Sequence, residues 1–244
     1  MNFLYNREKT AVIYNDIEYS YKEIINASKY YGSLIKINKD DRVVLFIENR
    51  PEFIYGVFGV WDKKGISVTL DATSDAEQIA YVLKDCTPTH IFVSNITYDV
   101  ALAAKELSGA EIIIINVDSE IIPENFVSSD AVIEGLEEEK TIAILYTSGT
   151  TGLPKGVMIS FKNLMANLLG LKEINLVSEK DRVLGMLPFH HILPLAGTIM
   201  LPLYFGGTLV ILKELSSEAI KSTLAKYKIT FVIGVPRVWE MFHK

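Results

Sequence analysis

A chain of 244 residues, 49% of them hydrophobic, has enough apolar surface for one large domain or two small ones. Its net charge of -6 excludes a sequence-independent grip on nucleic acid, which needs a basic face to displace counterions. The single cysteine, Cys86, excludes an intramolecular disulfide and reads as a packed small hydrophobe in a reducing, cytoplasmic setting, and the first ten residues lack the apolar core of a secretory signal.

Residues 11–14 and 17–19, separated by Asn15-Asp16, predict an opening hairpin. Ser20 with Glu23 is a capping box for a helix with Ile24, Ile25, Ala27, Ser28, Tyr31 and Leu34 on its apolar face. The β-branched run 42–47 predicts a buried strand. Asn49 with Glu52 then predicts a capped helix that buries Phe53, Ile54, Val57, Phe58 and Trp61 and ends at Gly65. A strand over 66–70, a helix capped by Ser74 and Glu77, a strand over 90–93, a helix over 98–107 and a strand over 111–116 follow. Strands spaced by helical patterns of this length imply right-handed crossovers and a parallel sheet.

Residues 117–140, with Glu137-Glu138-Glu139, predict a surface crossing whose acidic triplet is a solvated face. Strands over 141–146 and 157–159, a helix capped by Ser160, strands over 182–187, 207–212 and 230–233, a helix over 217–227 and another begun by Pro236 complete the chain. The run from Val183 to Leu212 has no Asp, Glu, Lys or Arg, but Pro188, Pro194, Pro202 and Gly206-Gly207 divide it into short pieces, which predicts buried core and a pocket wall rather than a membrane span. The fold class is α/β, doubly wound with mainly parallel sheets, with ligands expected at the carboxyl ends of strands. Lobes 1–140 and 141–244 are a natural subdivision.

The segment Tyr146-Thr147-Ser148-Gly149-Thr150-Thr151-Gly152-Leu153-Pro154-Lys155-Gly156 lies between two apolar runs. Its glycines allow close backbone approach, its hydroxyls offer donors, and Lys155 adds a positive charge, which together make a phosphate grip. A Walker A loop is excluded, because there the lysine follows glycine and precedes Ser or Thr, whereas Lys155 lies between Pro154 and Gly156.

This segment resembles the signature Y-T-S-G-T-T-G-x-P-K-G of the adenylate-forming family, which includes acyl-CoA synthetases, firefly luciferase and the adenylation domains of peptide synthetases. Asp41-Arg42-Val43 with Asn49-Arg50-Pro51-Glu52-Phe53 is similar to the family's D-R-V and N-x-x-E-F block, and Lys64-Gly65 with Val68-Thr69-Leu70-Asp71 to its K-A-G and V-P-L-D block, Thr69 standing for the proline. Leu187-Pro188-Phe189-His190-His191 resembles L-P-x-x-H. Val235-Pro236-Arg237-Val238-Trp239-Glu240 resembles the long-chain fatty acyl-CoA ligase branch.

The resemblance implies ATP-dependent activation of a fatty acid as acyl-AMP and its transfer to coenzyme A, with Mg²⁺ at the phosphates. Thr147, Ser148, Gly149, Thr150, Thr151, Gly152 and Lys155 would bind ATP and pyrophosphate. Lys155 and His191 would be catalytic, and His191, Leu193, Leu195, Val235 and Trp239 would line the acyl pocket, His190 less so because adjacent side chains diverge. The alternatives are an amino- or aryl-acid adenylation domain loading a carrier protein, or a scaffold that acts by partner binding.

The family's adenine- and Mg²⁺-holding block, its ribose aspartate and its mobile-domain lysine have no counterpart here. The sequence therefore reads as the N-terminal part of the large domain, of low activity alone, with no metal ligands of its own and able to self-associate through cut sheet edges. The expected partners are a carboxylic acid, ATP and coenzyme A, without nucleic acid; peripheral membrane contact is compatible with a fatty substrate.

Overall fold

The computed structural model describes residues 4–124, 126, 131–133, 135–147, 153–174, 176–236 and 239. In order, the strands are β1 Leu4–Tyr5, β2 Thr10–Tyr14, β3 Ile17–Ser20, β4 Arg42–Phe46, β5 Ile66–Thr69, β6 His90–Val93, β7 Ile113–Asn116, β8 Ala131–Val132, β9 Thr141–Thr147, β10 Lys155–Ser160, β11 Arg182–Gly185, β12 Thr208–Ile211 and β13 Phe231–Val232. The helices are α1 Tyr21–Leu34, α2 Pro51–Asp62, α3 Ala76–Cys86, α4 Tyr98–Ser108, α5 Phe161–Glu173, α6 Leu201–Phe205 and α7 Ser217–Tyr227.

Two sheets carry the fold, and β1 with β8 forms a small third. The six-stranded sheet runs β10-β9-β5-β4-β6-β7, parallel except for the β9–β10 hairpin, and the five-stranded sheet runs β13-β11-β12-β2-β3, parallel except for the β2–β3 hairpin. These memberships do not divide at 140/141. The opening hairpin joins strands of the C-terminal half, because β2 pairs with β12, and β9 with β10 extends the N-terminal sheet, because β9 pairs with β5. Long-range strand pairing, which local sequence does not encode, crosses the 140/141 boundary.

Strand alternation distributes the core. In β4, Val43 and Leu45 face a central cluster with α1, α2 and α5, while Val44 and Phe46 face an outer cluster with α3 and α4. Such strands are apolar on both faces, hence the uninterrupted hydrophobic runs. The central cluster also holds Val12, Leu209 and Ile211 of the five-stranded sheet, so α1 and α2 lie between the two sheets, with α7 covering the far face at Leu184, Leu212 and Ile220. Close approach of α1 and α2 depends on glycine: a Cβ on Gly59 would lie 2.6 Å from the Ser28 carbonyl oxygen and 2.7 Å from the Gly32 nitrogen.

Helix starts follow their local chemistry with two exceptions. Ser20 and Glu23 form the expected box on α1, and Ser160 accepts from Asn163 N–H at the start of α5. On α3 the box is Asp75 with Gln78 rather than Ser74 with Glu77. Two overlapping boxes are written there, and a carboxylate is the stronger acceptor for helix-terminal N–H groups. On α2 the N-cap is Arg50, without a side-chain bond, and Pro51 opens the helix; Asn49 is used elsewhere. Past that helix, Lys64 rather than Gly65 takes the left-handed conformation, with φ of 61°.

The charge-free run 183–212 becomes β11, a turn, a π-helical segment Pro194–Met200, α6 and β12. Among the described residues no helix is long and apolar enough to cross a membrane. The acidic triplet makes surface ion pairs, Glu137 with Lys39 and Glu139 with Lys162, each at 2.5 Å. Cys86 is buried, and burial pushes its thiol up to about 11, which leaves it unreactive. The expected strand over 230–233 shortens to β13, and the helix expected from Pro236 falls largely outside the described residues.

Candidate active site

The parallel strands β9, β5, β4, β6 and β7 end at one edge of the six-stranded sheet, where a doubly wound sheet presents ligand sites. The order β5-β4-β6 reverses direction at β4/β6, and that crevice is filled by side chains. Ser94 Oγ–H donates to Glu48 at 2.6 Å, and Arg50 pairs with Glu48 at 3.2 Å, Glu52 at 2.7 Å and Asp118 at 2.7 Å. The open space lies one strand over, at β5 and β9. There a cavity of about 320 Å³ is lined by residues that include Asp71, Gln78, Tyr146, Thr147, Pro154, His190 and His191.

One wall is the segment that leaves β11 of the other sheet. The Asn49 amide donates to the Leu187 carbonyl at 2.8 Å, and its carbonyl accepts from the Phe189 N–H at 2.8 Å. Thr69 Oγ–H donates to the His190 carbonyl at 3.0 Å. Phe189 is buried against Phe53, their rings 5.7 Å apart, and His191 N–H closes a turn onto the Pro188 carbonyl at 3.2 Å. Because residues 188–191 turn rather than extend, His190 and His191 share one cavity, with ring centroids 4.0 Å apart; the strand-like divergence expected of them does not apply.

The two histidines differ in setting. His190 is partly buried, its Nε2 3.9 Å from the Asp71 carboxylate, whereas His191 is exposed. Burial and the adjacent His191 push His190 down to about 4 against the opposing pull of Asp71, so its ring is neutral at pH 7. At Asp71 burial works against ionisation, but the Thr73 N–H at 2.9 Å, the Thr73 hydroxyl at 2.8 Å and the histidines outweigh it and hold the carboxyl below its usual range.

The facing wall is the β9–β10 hairpin. Thr147 and Lys155 are register partners at its open end, both exposed. Its base is held by α3: Tyr146 O–H donates to Asp85 at 2.5 Å and Tyr81 O–H to the Pro154 carbonyl at 3.2 Å. Gly156 leaves room for the Tyr146 ring, since a Cβ there would approach the Tyr146 Cζ to 3.3 Å. Ser148, Gly149, Thr150, Thr151 and Gly152 lie outside the described residues, as do Arg237, Val238 and Glu240.

The structure therefore brings Thr147 and His191 to one cavity, whereas Lys155, the register partner of Thr147, is not among the residues that line it. Leu195 is 1% exposed and packs in the central core rather than lining that cavity, while Leu193, Val235 and Trp239 are exposed, and the Trp239 indole N–H donates to the Gly234 carbonyl at 3.2 Å. Asp71, His190 and the Asn49 clamp are the features of this cleft that residue-by-residue reading missed or ranked low. The signal for Asp71 was its position just past a parallel strand. Among the described residues no group of three or more His, Cys, Asp or Glu is placed to hold a metal.

Two wound sheets that bring a carboxyl edge and a histidine turn to one cleft make this a doubly wound α/β protein, a class whose ligands lie at such edges. The family described as AMP-binding enzyme matches residues 4–244, and the chain belongs to it. It is 25% identical to a mitochondrial malonate–CoA ligase of Xenopus laevis over 87% of this chain and 39% of that protein. It is 23% identical to a long-chain-fatty-acid–CoA ligase of Bacillus subtilis over 95% of this chain and 48% of that protein. The chain thus spans less than half the length of these curated relatives. Among solved structures, a Mycobacterium tuberculosis fatty acyl CoA synthetase superposes with TM-score 0.85 at 20% identity, covering 96% of this chain and 48% of that one. An o-succinylbenzoate CoA synthetase from Bacillus subtilis, in complex with ATP and magnesium ion, superposes with TM-score 0.82 at 20% identity, covering 98% and 63%. The doubly wound architecture expected from the sequence is the fold these structures share.

Proposed function

We propose that this chain is part of the large domain of an AMP-forming acid–thiol ligase that activates a fatty acid with ATP and passes it to coenzyme A. The observation that carries the reading is the cleft itself: Thr147 and Pro154 of the β9–β10 hairpin line one cavity with a histidine pair, and Lys155 is paired with Thr147 on the same hairpin. Such a cleft can receive two anions at once. The acid's carboxylate oxygen attacks the α-phosphorus of ATP, the bond to the pyrophosphate oxygen breaks, and the pyrophosphate leaves with the charge. A thiolate then adds to the acyl carbonyl and AMP departs. The first step needs fixed donors and a cation beside the phosphates.

Thr147 and Lys155, with residues 148–152, bind the β- and γ-phosphates in this reading, and Lys155 offsets charge on the leaving pyrophosphate. His191 orients the carboxylate by hydrogen bonding. His190, neutral at pH 7, packs against the His191 ring and limits its movement. The Thr147 hydroxyl is an oxygen donor of the kind Mg²⁺ takes when it arrives with the nucleotide. The ion would supply further charge neutralisation at the phosphates. Exposed Leu193, Val235 and Trp239 offer apolar surface for an acyl chain, with buried Leu195 only as backing.

The relatives also favour a second reading: a dimodular nonribosomal peptide synthase of Bacillus subtilis is 27% identical over 96% of this chain and 10% of its own length. Acid-dependent exchange of labelled pyrophosphate into ATP, measured on the full-length protein with fatty, aryl, dicarboxylic and amino acids, reads the acid, and transfer of the activated acyl group to coenzyme A or to a carrier protein reads the acceptor. Exchange driven by fatty acids with transfer to coenzyme A is expected, and transfer only to a carrier protein would select carrier-protein loading. No exchange with any acid would select a binding scaffold.

A further inference from the structure

We infer that Asn49 is a positioning residue for the histidine turn: its amide clamps Leu187 and Phe189 and so sets where His190 and His191 stand in the cleft. The inference rests on the proposed acid-activating role of that cleft, but the clamp itself is geometric. Asn49 makes one donor and one acceptor bond to alternate backbone groups of 187–189, at 2.8 Å each. That paired contact fixes both the distance and the rotation of a segment that no strand of the six-stranded sheet pairs with. It is also the polar bridge from β4 of one sheet to the segment leaving β11 of the other, and Thr69 supplies the neighbouring bridge from β5 to the His190 carbonyl.

The clamp is itself held. Its neighbours Glu48 and Arg50 belong to the charged network that fills the β4/β6 crevice, anchored through Ser94 and Asp118. With Arg50 serving as the backbone N-cap of α2, the Asn49 amide is not drawn into capping and remains free for the turn. Asparagine is suited to this task because its amide carries a donor and an acceptor side by side. Aspartate would keep only the acceptor, alanine neither. The crevice network thus has a purpose: it makes a rigid base at the topological switch point from which the second sheet's histidines are aimed.

The test uses full-length protein with Asn49→Ala, Asn49→Asp and, as a control that weakens the core without touching the clamp, Ile24→Val. Imidazole nitrogen and proton chemical shifts of His190 and His191, assigned through His190→Gln and His191→Gln, read the turn directly. Both sets should move in Asn49→Ala, move less in Asn49→Asp, and stay in place in Ile24→Val. In pyrophosphate exchange with a fatty acid, Asn49→Ala should lower kcat roughly a hundredfold, the scale of a small misplacement of reacting groups, with KM for ATP unchanged. Unmoved histidine signals in Asn49→Ala, or an equal kcat loss in Ile24→Val, would overturn the inference. Displaced histidines in a protein that exchanges no pyrophosphate with any acid would uphold the clamp and remove the proposed function instead.

Discussion

Replacing His190 by Gln should change how the protein's stability depends on pH. His190 is 13% exposed in its side chain and lies between His191 and Asp71, and burial with His191 pushes it from 6.5 down to about 4. Between those pH values the unfolded chain binds a proton at residue 190 that the folded chain does not. Its contribution is therefore complete above pH 6.5 and is lost as pH falls toward 4. At about 1.4 kcal/mol per pH unit the full interval is worth roughly 3 kcal/mol, and water in the adjoining cavity screens this to ~2 kcal/mol. Glutamine does not titrate, so urea unfolding of wild type and His190→Gln at pH 7.5, 6.5, 5.5 and 4.5 isolates the group. Carboxylates remote from residue 190 cancel between the two proteins, and Asp71, which loses the His190 contribution in the variant, is still held down by Thr73. The stability difference should be flat above pH 6.5 and shift against the wild type by ~2 kcal/mol by pH 4.5. A difference constant across all four pH values would refute the placement of His190 as a neutral, desolvated ring.

Lys155→Ala should slow pyrophosphate exchange by about a hundredfold or more, the usual scale for a lost charge-stabilising group, while urea midpoints stay within the ~0.5 kcal/mol expected for an exposed site. An unchanged rate would remove its role at the phosphates. Trp61→Phe should cost ~2–4 kcal/mol in urea unfolding, because the buried indole N–H donates to the Ile142 carbonyl at 2.6 Å and Ser67 Oγ at 3.0 Å and the smaller ring leaves a void. A loss below ~1 kcal/mol would mean that this link from α2 to β9 is dispensable. Gly59→Ala should destabilise by ~1–3 kcal/mol, since its Cβ would meet backbone atoms of α1 at 2.6 and 2.7 Å. Wild-type stability in that variant would show that the helices can separate without penalty.

Much of the fold was legible along the chain because its signals are local. The Ser20–Glu23 box, the two-residue turn Asn15-Asp16 and the β-branched runs of β4, β5 and β6 each state their structure within a few residues. The two strands that flank the glycine- and hydroxyl-rich segment were equally readable as apolar runs, whereas their antiparallel pairing came only from the structure. Legibility failed where two local solutions competed or where a side chain served a distant partner. Asp75 displaced Ser74 as a cap, and Asn49, which has every property of a cap, bonds residues 138 and 140 positions away.

The sequence by itself determined the chemistry available to the cleft: a hydroxyl- and lysine-bearing segment between two strands, two adjacent histidines after a proline, and a family signature long enough to name a reaction class. Only the tertiary structure decided where these meet. Pairing of β2 with β12 and of β5 with β9 interleaves the two sheets across the chain, and side-chain filling of the β4/β6 crevice moves the open site to β5 and β9. The physical reason is that local propensity follows from neighbours in sequence, whereas strand order, and with it the approach of His190 to Asp71, follows from long-range burial and hydrogen bonding.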